Sequence, residues 1–192
     1  MDWPADHHIL ALAAPLIKAE EGYCATPYLC PRPGGGVWTI GWGTTRYPNG
    51  TRVSASDPAI TEQFAEHCLT QSMSRVWADL KPVLTRAPTM QQAAALLSLA
   101  YNVGVGAQDG VKGDLADSTL IAKFNAGDLR AAADEFPKWK FSNGRVLPGL
   151  VARRARERAL FVTAPERSGS ELAAPKHSGG GLVAPKHSGG GP

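Results

Sequence analysis

Residues 20–43 read EEGYCATPYLCPRPGGGVWTIGWG, and this stretch decides the fold. Its opening Glu-Glu-Gly ends an apolar helical pattern, because glycine is a typical stop after a helix. From Thr26 onward the chain carries prolines, a run of three glycines, and then aromatic and β-branched residues. This composition predicts tight turns and a small twisted sheet. The stretch therefore predicts a helix that leads directly into a β-rich lobe of about residues 26–53.

The segment before this stretch is apolar from Ile9 to Ile17. It is too short to span a bilayer, which takes about 20 residues, and it follows acidic residues and histidines rather than a basic segment. We therefore expect no membrane span and no secretory signal. Pro15 fits the first turn of a helix, so the first helix is predicted to run from there to about Gly22.

Helical periodicity returns after Asp57. A long helix ending before Pro82 is predicted from apolar residues on one face: Ile60, Phe64, Cys68, Val76 and Leu80. The segment Met90–Val103 is so apolar that we expect a helix buried nearly all round. Shorter helices are predicted at Ser118–Asn125, Asp128–Phe136 and Pro148–Phe161. The chain is thus α+β, mainly helical, with a small antiparallel sheet after the first helix.

The C-terminal end carries a tandem repeat. Residues 172–181 read LAAPKHSGGG and residues 182–191 read LVAPKHSGGG. Two copies of a decapeptide rich in Pro, Gly and Ser cannot bury a core. We expect one folded domain at 1–163 and a flexible tail at 164–192. Wall binding by the tail, or metal binding by its two histidines, stays open beside a plain linker.

Composition excludes several classes of protein. With 43% hydrophobic residues and 19% charged residues, the chain is globular rather than disordered. Its formal charge of +3 is too small to indicate nucleic-acid binding. The histidines form no cluster with ligand spacing, so we expect no metal and no cofactor. His67 adjoins Cys68 on one helix, where the two side chains diverge, which argues against a cysteine protease.

The three cysteines, Cys24, Cys30 and Cys68, cannot all pair. Reduced thiols are the expectation for a cytoplasmic protein, and a Cys24–Cys30 bridge in an oxidising compartment stays open.

Glu20 and Glu21 are the candidate reactive acids. Leu16 and Ile17 lie four positions earlier, so both carboxylates continue the apolar side of the helix. A carboxylate in that setting either pairs with a cation or has its pKa raised by desolvation, and a raised pKa suits a general acid. A solvated helix end would show the same pattern. Glu20 is predicted to pair with an arginine of the last helix, whose arginines otherwise predict a cationic surface.

Here the sequence resembles the phage-type lysozymes, glycoside hydrolase family 24. Their signature is a Glu-Gly at the end of the first helix, an Asp or sometimes a Cys after eight intervening residues, and a Thr in a TIGxG hairpin. Glu21, Cys30 and Thr39 occupy these positions. The motifs AYNVGVG at 100–106 and LPGL at 147–150 match the family in order, so the resemblance covers about residues 9–162.

The resemblance implies a two-lobed lysozyme fold with the substrate cleft between its lobes. It implies hydrolysis of the β-1,4 bond between N-acetylmuramic acid and N-acetylglucosamine, with Glu21 protonating the leaving oxygen. Thr39 and Cys30 would place water on the opposite face of the sugar, an inverting arrangement. Asn102 is a candidate sugar ligand, although capping of its helix is an alternative.

The sequence departs from the family in two ways. Cys30 stands where a carboxylate is usual, and no acid lies between Gly22 and Ser56 to replace it. Its thiol would act as a weak base, as a ligand for water or as a thiolate, unless it is an inert small residue. Eight residues separate Cys30 from Thr39, more than is usual in the family. This longer connection puts the relative placement of the two side chains in doubt.

Two other functions stay open beside hydrolysis. One is a lytic transglycosylase, which needs a single Glu and leaves 1,6-anhydro ends. The other is a non-catalytic wall-binding phage protein. The expected partner is peptidoglycan, without nucleic acid and without stable membrane insertion. We expect a monomer that stays in the host cytoplasm until a holin opens the membrane, and that then acts on the wall in the periplasm.

Overall fold

The first helix and the first hairpin follow each other directly, as the sequence predicts. In the computed structural model, which describes residues 2–30, 35–107, 114–142 and 144–164, α1 spans Asp6–Glu21. Strand β1 (Cys24–Cys30) pairs antiparallel with β2 (Val37–Gly41). Isolated bridges between Ile40 and Thr44 and between Arg46 and Arg52 extend this lobe. In chain order, the β-rich lobe therefore comes between α1 and the later helices.

The rest of the described chain is mainly helical. Its helices are α2 (Glu62–Leu80), α3 (Met90–Val103), α4 (Thr119–Asn125), α5 (Leu129–Ala133) and α6 (Pro148–Val162). Short 3₁₀ helices lie at Lys81–Val83 and Phe136–Lys138, and a small hairpin joins β3 (Phe141–Ser142) to β4 (Arg145–Val146). The prediction of an α+β chain with a small antiparallel sheet after the first helix is confirmed.

Helix α3 forms the centre of the core. It packs against α1, α2 and α6, and every residue from Gln91 to Ala100 is buried. Thr89 starts the helix with a capping box, in which its hydroxyl accepts from the Gln92 amide and the Gln92 side chain accepts from the Thr89 amide. The prediction of a helix buried nearly all round is confirmed.

The predicted start of α1 at Pro15 is wrong. The helix begins nine residues earlier, at Asp6, and Pro15 lies in its interior. Proline removes the amide that would bond to the Ala11 carbonyl, which usually breaks a helix. Here both Pro15 and Ala11 are exposed, so water can bond to that carbonyl. The buried face, Ile9, Ala13 and Ile17, passes on the other side of the helix.

The predicted apolar face of α2 is also partly wrong. Phe64 is 42% exposed, and Ile60 lies before the helix, which Thr61 caps. The face that packs on the core contains Ala65, Cys68, Leu69, Met73, Trp77 and Leu80. Phe64 precedes this face by one residue and is rotated away from it by the helical turn. Its ring instead lies 6.2 Å from that of Tyr47.

The predicted tail, 164–192, lies outside the described residues from position 165 onward. Within the described ranges, no helix has both the length and the apolar character that crossing a membrane requires.

Candidate active site

Glu21 is the last residue of α1, at the point where the helical body meets the β-rich lobe. Gly22 ends the helix with a φ of 68°, a backbone conformation that favours glycine. Its amide donates to the carbonyl of Lys18. Ile17 lies one turn earlier and is buried, so it anchors the end of the helix in the core. The Glu21 side chain itself stays partly accessible, with 23% of its surface exposed.

Glu21 pairs with an arginine from the other end of the chain. Arg153 of α6 donates from Nη1 to Glu21 Oε1 at 2.8 Å, and the Arg153 side chain is only 4% exposed. Of the two environments that the sequence left open for this carboxylate, the structure shows the cation pair.

Glu20 has a separate partner, also on α6. Arg156 Nε donates to Glu20 Oε1 at 2.7 Å. The prediction that Glu20 pairs with an arginine of the last helix is confirmed. The two adjacent glutamates thus bind two arginines that lie almost one turn apart on α6, and α1 is tied to α6 at both positions.

A buried carboxylate fixes Arg153 in place. Glu157, which is fully buried, accepts from Arg153 Nε at 3.2 Å and from Ser98 Oγ of α3 at 2.8 Å. Arg153 Nη2 also donates to the Ser98 carbonyl at 3.2 Å. With its other nitrogens bonded in this way, Arg153 directs Nη1 at Glu21.

A second arginine balances the charge of Glu157. Arg154 Nη2 donates to Glu157 Oε1 at 2.8 Å. Arg154 Nε lies 2.6 Å from Oε2, but this contact is too poorly angled to count as a hydrogen bond. Burial raises the pKa of Glu157 above its usual value, while Arg154, Ser98 and Arg153 oppose that shift. The expectation of a cationic surface on α6 is therefore wrong for Arg153 and Arg154, which are buried.

Gly43 borders the carboxylate of Glu21, and Tyr101 is close enough to interact with its charge. A Cβ at Gly43, whose φ is 82°, would lie 3.2 Å from Glu21 Oε2. A side chain there would crowd the oxygen that Arg153 does not bind. The Tyr101 hydroxyl donates to the Trp42 carbonyl at 3.0 Å. Burial, with a contribution from the negative charge of Glu21, raises the pKa of Tyr101 far above its usual range, so this phenol stays neutral.

Cys30 and Thr39 share one face of the hairpin. Cys30 pairs with Val37, and Tyr28 pairs with Thr39. Directly paired residues point to the same side, so Cys30 and Thr39 are diagonal neighbours, about 7–8 Å apart. The longer connection between them leaves this register intact. Thr39 is buried, and its hydroxyl donates a hydrogen bond to the Val37 carbonyl at 3.0 Å. Cys30 is half-buried, and its thiol is free.

Two further expectations concern Asn102 and Cys24. Asn102 lies in the last turn of α3 with its side chain exposed, and the described residues offer it no hydrogen-bond partner, so it does not cap the helix. Cys24 and Cys30 lie at opposite ends of β1, about 20 Å apart for a strand of that length. A disulfide needs Cα atoms within about 7 Å, so the Cys24–Cys30 bridge that the sequence left open does not fit this strand.

Sequence reasoning missed Arg153, Glu157, Ser98 and Tyr101 as members of the site. A signal was present in α6, where Arg153 and Arg154 precede Glu157 by four and three residues, so that the three fall on one face.

The chain is similar to phage lysozymes and endolysins both in sequence and in structure. The family model described as "Phage lysozyme" matches residues 18–157. The chain is 38% identical over 155 residues to an endolysin of Bacillus phage B103, covering 81% of this chain and 54% of that protein. It is 36% identical over 161 residues to an endolysin of Acyrthosiphon pisum secondary endosymbiont phage 1, covering 82% and 99%. A crystal structure of a P22 lysozyme mutant superposes with a TM-score of 0.65 at 29% identity, covering 85% and 100%.

Proposed function

The chain belongs to the phage lysozyme family, and from that premise we propose that it is an endolysin that cleaves bacterial peptidoglycan. The reaction is hydrolysis of the β-1,4 bond between N-acetylmuramic acid and N-acetylglucosamine, the work of a glycoside hydrolase. The observation that carries the proposal is the position of Glu21, a partly exposed carboxylate held by Arg153 where the β-rich lobe meets the helical body.

Glu21 acts as the general acid. Arg153 occupies Oε1, so Oε2, which faces Gly43, is the oxygen that can carry a proton to the glycosidic oxygen. A general acid must reach the leaving oxygen within hydrogen-bond distance, and the absence of a side chain at Gly43 leaves room for that approach. The fixed guanidinium also holds the carboxyl group in one orientation.

Thr39 and Cys30 prepare the attacking water. The Thr39 hydroxyl donates its hydrogen bond to the Val37 carbonyl, so its oxygen is left to accept a hydrogen bond from water. A water held in this way directs a lone pair away from Thr39 and towards the sugar. Cys30, on the same face of the hairpin, is the second water ligand. Because water attacks the face opposite the departing oxygen, the anomeric configuration inverts.

Product analysis tests the proposal. Digestion of peptidoglycan in heavy-oxygen water places the label at the new reducing end if water is the nucleophile. Proton NMR taken early in the digestion then shows the α-anomer first. Unlabelled 1,6-anhydro ends would instead demonstrate a lytic transglycosylase. Binding to walls with no release of fragments would demonstrate a non-catalytic protein.

We propose that the protein acts as a monomer, that Asn102 binds sugar in the cleft, and that a holin opens the path from the host cytoplasm to the wall. Expression in bacteria with and without a co-expressed holin tests the last point, since rapid lysis is expected only with the holin.

A further inference from the structure

A cavity of about 350 Å³ adjoins the site of Glu21. Gly43, which borders the Glu21 carboxylate, also lines this cavity, and so does Tyr101. Arg46 comes from the β-rich lobe and Arg75 from α2. The cavity therefore extends the cleft from the candidate general acid towards two cationic side chains.

The two arginines are fixed but not neutralised. Arg46 Nη1 donates to the Gly50 carbonyl at 2.7 Å, and Arg75 Nη2 donates to the Tyr47 carbonyl at 3.2 Å. Each guanidinium has five N–H donors, so most of them remain available. Among the described residues, no carboxylate lies within ion-pair distance of either arginine. The side chains are positioned by neutral groups, and no carboxylate among the described residues offsets their charge.

A third arginine adds to this positive charge. Arg52 pairs with Arg46 across an antiparallel bridge, which places two like charges directly opposite each other. Such a pair destabilises a fold rather than stabilising it. The arrangement is understandable if the surface binds an anion that offsets the repulsion.

The covalent structure of the substrate identifies the anion. A guanidinium binds a carboxylate with two parallel hydrogen bonds, a geometry that suits Arg46 and Arg75. Peptidoglycan carries its carboxylates on peptide stems, and each stem is attached to the muramic acid ring beside the bond that Glu21 is proposed to cleave. We propose that Arg46 and Arg75 form a subsite for a carboxylate of the peptide stem, an inference that rests on the proposed hydrolase function.

Three substrates and three single variants test the proposal. The substrates are intact peptidoglycan, the same material with its stem carboxyls converted to amides, and glycan strands freed of stems by an amidase. Arg46→Gln and Arg75→Gln are compared with Arg130→Gln, which removes the same charge from an exposed position on α5. On intact peptidoglycan, Arg46→Gln and Arg75→Gln are expected to raise KM about ten-fold with little change in kcat, the effect of losing a charge-assisted hydrogen bond.

On amidated or stem-free material, the same two variants should match the wild type, whose own KM is higher there. Equal losses on all three substrates would overturn the proposal, because a distorted loop or cleft slows every reaction alike. It would also be overturned if Arg130→Gln reproduced the effect, since net charge would then be the cause. Failure of the wild type to cleave any of the substrates would reject the hydrolase function and this inference with it.

Discussion

At the scale of single residues, Arg153 decides how Glu21 is presented. Glu21, Cys30 and Thr39 stand at the spacing of a family signature within one short stretch, so the resemblance predicts the three together. The partner of Glu21 is not predictable in this way, because Arg153 lies 132 positions further along the chain. An arginine on a helix looks like a surface residue until packing shows that it is buried.

Position 30 permits a direct test of the water-binding role. Cys30→Asp places a carboxylate on the same face of the hairpin and is expected to keep activity, because an ionised carboxylate accepts a hydrogen bond from water more strongly than a neutral thiol does. Cys30→Ser keeps the size and polarity but lowers the acidity, so it should lose a larger share of kcat. Initial rates of wall solubilisation measure both. Full activity in Cys30→Ala would show that position 30 takes no part.

At the scale of elements, α6 is bound to α1 and α3 by charged groups more than by a continuous apolar face. Glu157 sits between Ser98 of α3 and the two buried arginines of α6. The existence and length of α6 follow from sequence periodicity. Which of its charged residues point inward does not, because that depends on the distant carboxylates that they meet.

Glu157→Ala is expected to lower the free energy of unfolding by about 3–5 kcal/mol, because it leaves the buried Arg154 without its carboxylate partner and removes one of the acceptors that hold Arg153. Glu157→Gln keeps an acceptor and should lose less. Urea denaturation at neutral pH measures the change. The matched control is Asp134→Ala. It removes the exposed carboxylate partner of Arg158, which lies on α6 like Glu157, and it should change the free energy of unfolding little. A loss in Glu157→Ala no larger than that of the control would contradict this account of α6.

Glu135 gives a test that depends on pH. It is 5% exposed, and its pKa is held below the usual value of 4.5 by a hydrogen bond from Lys123 and, to a smaller extent, by one from Lys138. A carboxyl with a lowered folded-state pKa stabilises the fold above its unfolded pKa, and that stability is lost as the pH falls through the folded value. Glu135→Gln should therefore lower Tm near pH 7.

Below pH 4.5 the Tm values of Glu135→Gln and the wild type should converge. Thermal melts across this range provide the check. A Tm difference that stays constant from neutral to acid pH would show that the charge of Glu135 is not what stabilises the link between α4 and the 3₁₀ helix Phe136–Lys138.

At the scale of the whole molecule, the sequence predicts the architecture better than its details. Helix α3 is apolar on all sides, and residues 20–43 alternate turn formers with strand formers, so both features are local and were predicted. The errors at Pro15 and Phe64 have one cause. Local rules cannot tell which side of a helix will face water, and this decides whether a proline is tolerated or a phenylalanine is exposed. The tail at 164–192 stays a prediction.

The most direct test of the central claim compares two adjacent glutamates. Glu21→Gln and Glu20→Gln each remove one negative charge from the end of α1, and each weakens one ion pair to α6. If Glu21 is the general acid, Glu21→Gln should lower kcat for peptidoglycan hydrolysis by a factor of about 10²–10⁴, and Glu20→Gln should keep most of the activity. Circular dichroism confirms that both variants fold. Hydrolysis by folded Glu21→Gln at the wild-type rate would contradict the account.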